Sequence, residues 1–173
     1  DAKFADMATR FHAECKRLRS ATPDGESERE AAQRIFESLH ERVFTGRYQA
    51  RCSDCAVALE HGDYNCVTAT LLYVEALRIN GIQAEPYAMV GHVFCRVGKG
   101  QFDVETTCPR WFRLSHDEAS RAARRAAPRA HARAAARKLN DVELIAKIYY
   151  NRGVACFRRG EFEQGLKLTQ RSL

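Results

Sequence analysis

Three residues of this 173-residue chain have the types and surroundings for nucleophilic chemistry: Cys66, His92 and Glu105. Cys66 follows a polar turn, His61-Gly62-Asp63-Tyr64-Asn65, and opens a stretch that is apolar nearly all round (Val67, Ala69, Leu71, Leu72, Val74, Ala76, Leu77, Ile79). That pattern, closed by Asn80-Gly81, predicts a helix over 66–80 buried on most sides. A thiol in its first turn meets unpaired backbone N–H groups and the positive end of the helix dipole. Both favour the thiolate, which is the attacking form. The same N–H groups can receive an oxyanion formed beside the sulfur. The plainer reading is a small thiol buried in a core.

His92 and Glu105 belong to a predicted pair of strands, 92–97 and 100–106, joined at Gly98-Lys99. With a two-residue loop, Val97 pairs with Gly100 and His92 stands directly opposite Glu105, at roughly 5 Å between Cβ atoms. A carboxylate there accepts from one imidazole nitrogen and leaves the other for the nucleophile. Asp103, opposite Phe94 in this register, is the reserve acid. The plainer reading is an incidental cross-strand pair.

The order of thiol on a helix start, imidazole on a strand and acid on the next strand resembles the transglutaminase-like superfamily, a branch of the papain-like cysteine hydrolases. The resemblance spans about residues 45–112 and rests on four motifs. They are Gly62-Asp63-Tyr64-Asn65-Cys66 with its apolar helix, residues 77–81 leading into a strand, Gly91-His92-Val93-Phe94, and Phe102-Asp103-Val104-Glu105-Thr106-Thr107. It implies a papain/transglutaminase-like α+β core, a buried helix plus an antiparallel sheet. It also implies Cys66 as nucleophile, His92 as general base and then acid, and Glu105 as the group orienting His92. The oxyanion would be held by the Cys66 N–H and one further donor, Tyr64 or Asn65. Two departures stand out. The family more often has Asp, followed by Pro-Thr or Ala-Thr, where this chain has Glu105-Thr106-Thr107. It often has Trp where this chain has Phe94. The implied chemistry is acyl transfer on an amide of a protein or peptide: the thiolate attacks, an amine leaves, and a thioester forms. Water as acceptor gives proteolysis or deamidation, and a lysine amine gives crosslinking. No cofactor is called for. Some relatives use calcium, but no clustered carboxylate loop is evident here. Cys66→Ala and His92→Ala are each expected to abolish activity with little loss of fold. The alternative function is an idle fold of this kind serving as a protein-interaction module.

A zinc reading competes on Cys52-x2-Cys55-x5-His61-x4-Cys66, close to structural zinc spacing but one residue too long before the His. The apolar run Ala56-Val57-Ala58-Leu59 within it argues for helix instead. His12, His40, His61, His116 and His131 have no evident partners in the sequence and read as surface residues.

The elements that must position the trio come next. Residues 4–19 have helical apolar spacing. Pro23-Asp24-Gly25 is a turn. Ser27 with Glu30 is a capping box opening a helix to about Val43. Ser53 or Asp54 caps a short helix to Glu60. Residues 82–89 read as a strand interrupted at Pro86, and Ser115 with Glu118 is a second capping box. Beyond it an Ala/Arg run over 119–138 is helix-prone with a break at Pro128.

Residues 121–138 carry seven cations (Arg121, Arg124, Arg125, Arg129, Arg133, Arg137, Lys138) and no acid, leaving 21 cations against 22 acids elsewhere. The net charge of +6 is therefore a property of one segment. It reads as a solvated linker, with an acidic partner or a nucleic acid as the remaining reading. Of these a nucleic acid is the less expected, because basic charge is not spread over a folded face and no aromatics interleave. The C-terminal run 146–162, with Gly165 at the small-residue position, resembles a tetratricopeptide repeat, with Arg152 for the usual Leu and Thr169 for the usual aromatic, and implies a protein partner. One such repeat cannot bury a core alone. It is expected to pack on the preceding domain and to continue beyond Leu173, just as Asp1 in place of Met suggests a processed or excised chain.

The domain organisation read from these features is a transglutaminase-like domain over 1–116 with N-terminal helices, a basic linker over 117–139, and a repeat segment over 140–173. At 45% apolar and 29% charged the composition is that of a globular protein. No apolar run reaches the roughly 18 residues of a membrane span. Seven cysteines are too few and too odd for a paired extracellular framework. The compartment stays open, with a cytoplasmic one favoured.

Overall fold

A computed structural model describes residues 2–20, 23–126 and 136–173. Arg129, Arg133, His131 and the break at Pro128 lie outside them. The described residues form a mixed α+β structure of seven α-helices and a four-stranded antiparallel sheet.

Side-chain caps start the helices that frame the site. α1 is Ala2–Ser20 and α2 is Glu28–Arg42, the latter opened by the expected Ser27–Glu30 box. Asp54 caps the short α3, Cys55–His61, and Asn65 caps α4, Cys66–Ile79. α4 is the central element. Val67, Ala69, Leu72, Tyr73, Val74, Ala76 and Leu77 are all buried on it. It packs against α1 and α2 on one side and the sheet on the other. The Tyr73 hydroxyl, sealed in this core, donates to the Ala32 carbonyl at 3.0 Å and ties α4 to α2. That bond meets the requirement that a buried hydroxyl be satisfied.

The sheet order is β3-β2-β1-β4. β1 is Ala84–Met89, β2 His92–Val97, β3 Phe102–Val104 and β4 Arg137–Lys138. β1 runs unbroken through Pro86, which sits opposite Cys95. The Pro86 carbonyl accepts from Leu139 N–H at 2.8 Å, so its N side also points to the β4 edge. There the ladder covers only Tyr87 and Ala88, so little is lost for want of a donor.

The β2–β3 register differs from the two-residue loop expected at Gly98-Lys99. Val97 pairs with Phe102, Arg96 with Asp103 and Cys95 with Val104. Four residues, 98–101, make the turn. The cause is local: Gly98 N–H is drawn to the Gln83 carbonyl at 2.8 Å, and the turn closes by Gln101 N–H to Val97 O at 3.2 Å. Gly98 and Gly100 both take positive φ, 66° and 82°, where side chains are strained. The shift is two residues, so every side chain keeps its face.

After a 3-10 turn at Trp111–Arg113, α5 spans His116–Ala126. The stretch read as helix to 138 ends instead in β4, whose Lys138 pairs with Tyr87. α6, Asp141–Arg158, and α7, Phe162–Gln170, pack closely on each other, and α6 also touches α4. Among the described residues no helix is long and apolar enough to cross a membrane.

Candidate active site

Asn65 shapes the start of α4. Its Oδ1 accepts from the N–H groups of Val67 and Thr68 at 2.9 and 3.0 Å, and Thr68 Oγ1 accepts in turn from the Asn65 N–H at 3.0 Å. The cap uses the second and third N–H groups of the helix and leaves that of Cys66 out. Asn65 Nδ2 donates to Ser53 Oγ at 2.5 Å and to Ala50 O at 3.3 Å. Ser53 Oγ also accepts from Asn151 Nδ2 of α6 at 3.0 Å. The Asn65 amide is thus occupied at both ends and holds the helix start rather than offering a donor to a substrate. Tyr64 is buried against His40, Phe44 and Tyr48 and supports the turn by packing.

His92 Nε2 lies 2.7 Å from Glu105 Oε2, with both side chains almost fully enclosed (3% and 1% exposed). The Cys66 thiol lies near enough to the same imidazole to act on its protonation. With Nε2 taken by Glu105, Nδ1 is the nitrogen left for sulfur. Burial pulls the imidazole pKa down; the neighbouring Cys66, the bond to Glu105 and the charges of both outweigh it and lift the group to about 9. Cys66, His92 and Glu105 are therefore brought together, although the ladder places Glu105 diagonally from His92 rather than opposite it.

Asp103 has a different neighbour. It stands opposite Arg96 and takes its guanidinium in two bonds, 2.7 and 3.2 Å. Trp111 Nε1 donates to the Asp103 carbonyl at 3.0 Å.

Several groups that hold Glu105 were not legible as site residues. Thr107 donates to Glu105 Oε1 from its hydroxyl at 2.8 Å and from its N–H at 3.3 Å. Thr106 bonds Thr70 of α4 through paired hydroxyls at 2.9 Å. His40 Nε2 donates to the Thr106 carbonyl at 3.2 Å. The reading of His40 as a surface residue is thereby corrected. It lies one position after Leu39 on the apolar side of α2 and contacts Phe36 and Phe44. Burial drives its pKa down to about 4, only partly offset by the bond to Thr106. His12 likewise has a partner, Glu75, at 3.3 Å. Tyr48 is a further missed neighbour. It bridges to Tyr64, and burial, reinforced by the charges of Cys66 and Glu105, raises its phenol to about 12.

All seven cysteines are free. Cys52, Cys55, His61 and Cys66 do not converge. Among the described residues no three His, Cys, Asp or Glu side chains gather so as to hold a metal ion. Cys52 instead donates to the Asp63 carbonyl at 3.3 Å, and Cys55 opens α3. Comparison of the chain with protein-family models, with curated proteins and with solved structures found no match.

Proposed function

We propose that the chain is a thiol-dependent acyl-transfer enzyme acting on amide bonds of a protein or peptide, built on a papain/transglutaminase-like core. The observation that carries this is the buried imidazole of His92, bonded to the Glu105 carboxylate at 2.7 Å and neighboured by Cys66 on a helix start. In this reading Cys66 passes its proton to His92 Nδ1, and Glu105 steadies the imidazolium. The thiolate attacks the amide carbon, and the oxyanion takes the uncommitted N–H of Cys66. Tyr48, whose hydroxyl keeps its proton through the neutral range, supplies a second donor in place of Tyr64 or Asn65. His92 then returns the proton to the departing amine, leaving a thioester. Water or a second amine attacks that thioester, His92 accepts the attacker's proton, and the thiolate is released. No step requires a cofactor. The α6–α7 pair, with Gly153 and Gly165 at its crossing, is read as one tetratricopeptide-type unit that engages a protein partner.

The test is alkylation of Cys66 by iodoacetamide as a function of pH, in wild type and in His92→Ala, with the adduct located by mass spectrometry. The reading expects Cys66 to be alkylated faster at neutral pH in wild type than in His92→Ala. An ordinary profile in both proteins would instead favour an idle fold kept for protein binding.

A further inference from the structure

A cavity of about 700 Å³ opens beside the acid of the trio. Glu105 and Thr107 form its inner end, Arg110 one wall, and Glu118, Arg121 and Arg125 of α5 the other. The spacing 118, 121, 125 puts the last three on one side of the helix. The charges in this lining are unequal. Glu105 is engaged by His92 and Thr107. Glu118 is turned back on the start of its own helix, accepting from Ser115 N–H at 2.9 Å and from its hydroxyl at 2.8 Å. Arg110, Arg121 and Arg125 are exposed. The charges of Arg121 and Arg110 act on the Glu118 carboxylate, so three guanidinium groups share this lining with one acid held by Ser115 and one held by His92. Guanidinium groups so placed suit carboxylates, which they can grip with two parallel bonds.

We infer that this cavity receives an acidic stretch of the substrate polypeptide next to the amide attacked by Cys66. The inference rests on the acyl-transfer reading of that residue and deepens it by naming a substrate class. It also accounts for part of the basic run, since Arg121 and Arg125 line the cavity whereas Arg137 is paired with Glu143. A nucleic-acid occupant fits less well, since no aromatic side chain lines the cavity to stack a base.

The experiment uses two peptidyl chloromethyl ketones of equal length on the full chain, one with Glu residues flanking the reactive position and one with Gln. Each forms a thioether at Cys66 and releases chloride, and the labelling rates are read by mass spectrometry. The Glu peptide is expected to label about tenfold faster at low ionic strength. That advantage should vanish in about 1 M salt and in the Arg121→Glu/Arg125→Glu variant. It should persist in Arg124→Glu, a change on the same helix away from the cavity lining. Equal rates for both peptides on a reactive Cys66 would overturn the inference while leaving the enzyme reading intact. Failure of either peptide to label Cys66 above the rate of an ordinary thiol would overturn both. An oligodeoxynucleotide that shields Cys66 better than a free Glu-rich peptide of equal charge would overturn the inference in favour of a nucleic-acid site.

Discussion

The surroundings of Cys66 and the C-terminal helix pair follow opposite packing habits. Around α4 the large side chains are sealed: Tyr73, Phe36, Phe94 and Leu77 are all under 2% exposed. Most polar groups among them have partners, as the Tyr73 hydroxyl has Ala32, while His40 Nδ1 and Asn80 Oδ1 have none. In α6–α7 the contact is made by small residues. A side chain on Gly165 would meet the Phe157 ring at 2.7 Å, and one on Gly153 would meet Thr169 Oγ1 at 2.5 Å. Meanwhile Phe162, Leu166, Tyr150 and Val142 stay exposed. The difference teaches where rigidity was needed. In the acyl-transfer reading three reacting groups must be held within a fraction of an ångström, and dense packing does that. The helix pair keeps apolar surface in water, a property of surfaces that associate.

The sharpest break between the regions is Cys66→Ala. It should abolish acyl transfer and peptide labelling while leaving thermal unfolding little changed, since sulfur here fills a small space at the core's edge. Glu105→Gln comes next. It should lower the rate by about 10²–10⁴-fold. It should also destabilise by about 3–5 kcal/mol, because a buried ion pair loses one partner. Denaturant titration beside a rate assay reads both. The same logic revises the expectation that His92→Ala spares the fold: Glu105 would be left buried without its imidazole.

Titration sharpens the contrast further. In the folded chain His92 holds its proton to about 9 instead of the usual 6.5. Between those values the folded state binds the extra proton, so this contribution to stability is complete below about 6.5 and is lost as pH rises through about 9. His40 has the opposite sign. Its pKa falls to about 4, so between 4 and 6.5 the unfolded chain binds the extra proton, and stability drops as pH falls through that window. Stability measured against pH should therefore decline on both flanks. His40→Gln should flatten the acid side alone.

Gly165→Ala should cost about 1–3 kcal/mol by forcing α6 and α7 apart, seen as earlier melting of the C-terminal helices by hydrogen exchange. Cys66 labelling should stay close to wild type. Asp103→Asn should have the smallest effect, within about 1 kcal/mol, as its pair with Arg96 is partly solvated. Its rate loss should be far below that of Glu105→Gln. The reverse order of rates would show that Asp103, not Glu105, serves His92.

Two helix starts were legible because capping is local: Ser27 with Glu30, and Asp54, act within three residues. Asn65 does the same for α4, but its residue type also suits an oxyanion donor, the role the sequence suggested for it. The pairing of His92 with Glu105 was legible for a subtler reason. The loop is two residues longer than Gly98-Lys99 alone, yet strand side chains alternate with period two, so the two groups keep one face and a diagonal contact replaces a direct one. What could not be read is what depends on distant chain. β4 is two residues long and exists because Tyr87 and Ala88 offer an edge. His40 finds Thr106, and Thr70 finds its hydroxyl partner, only once α2, α4 and β3 have docked.

The Ser53 hydroxyl accepts at once from Asn151 on α6 and from Asn65 at the head of α4. A load that tilts the C-terminal helices would strip Asn151 from that oxygen and slacken the amide on which the Val67 and Thr68 N–H groups hang. The start of α4 thus has a tether running outside its own layer, and deuterium uptake at those two amides would gauge the pull.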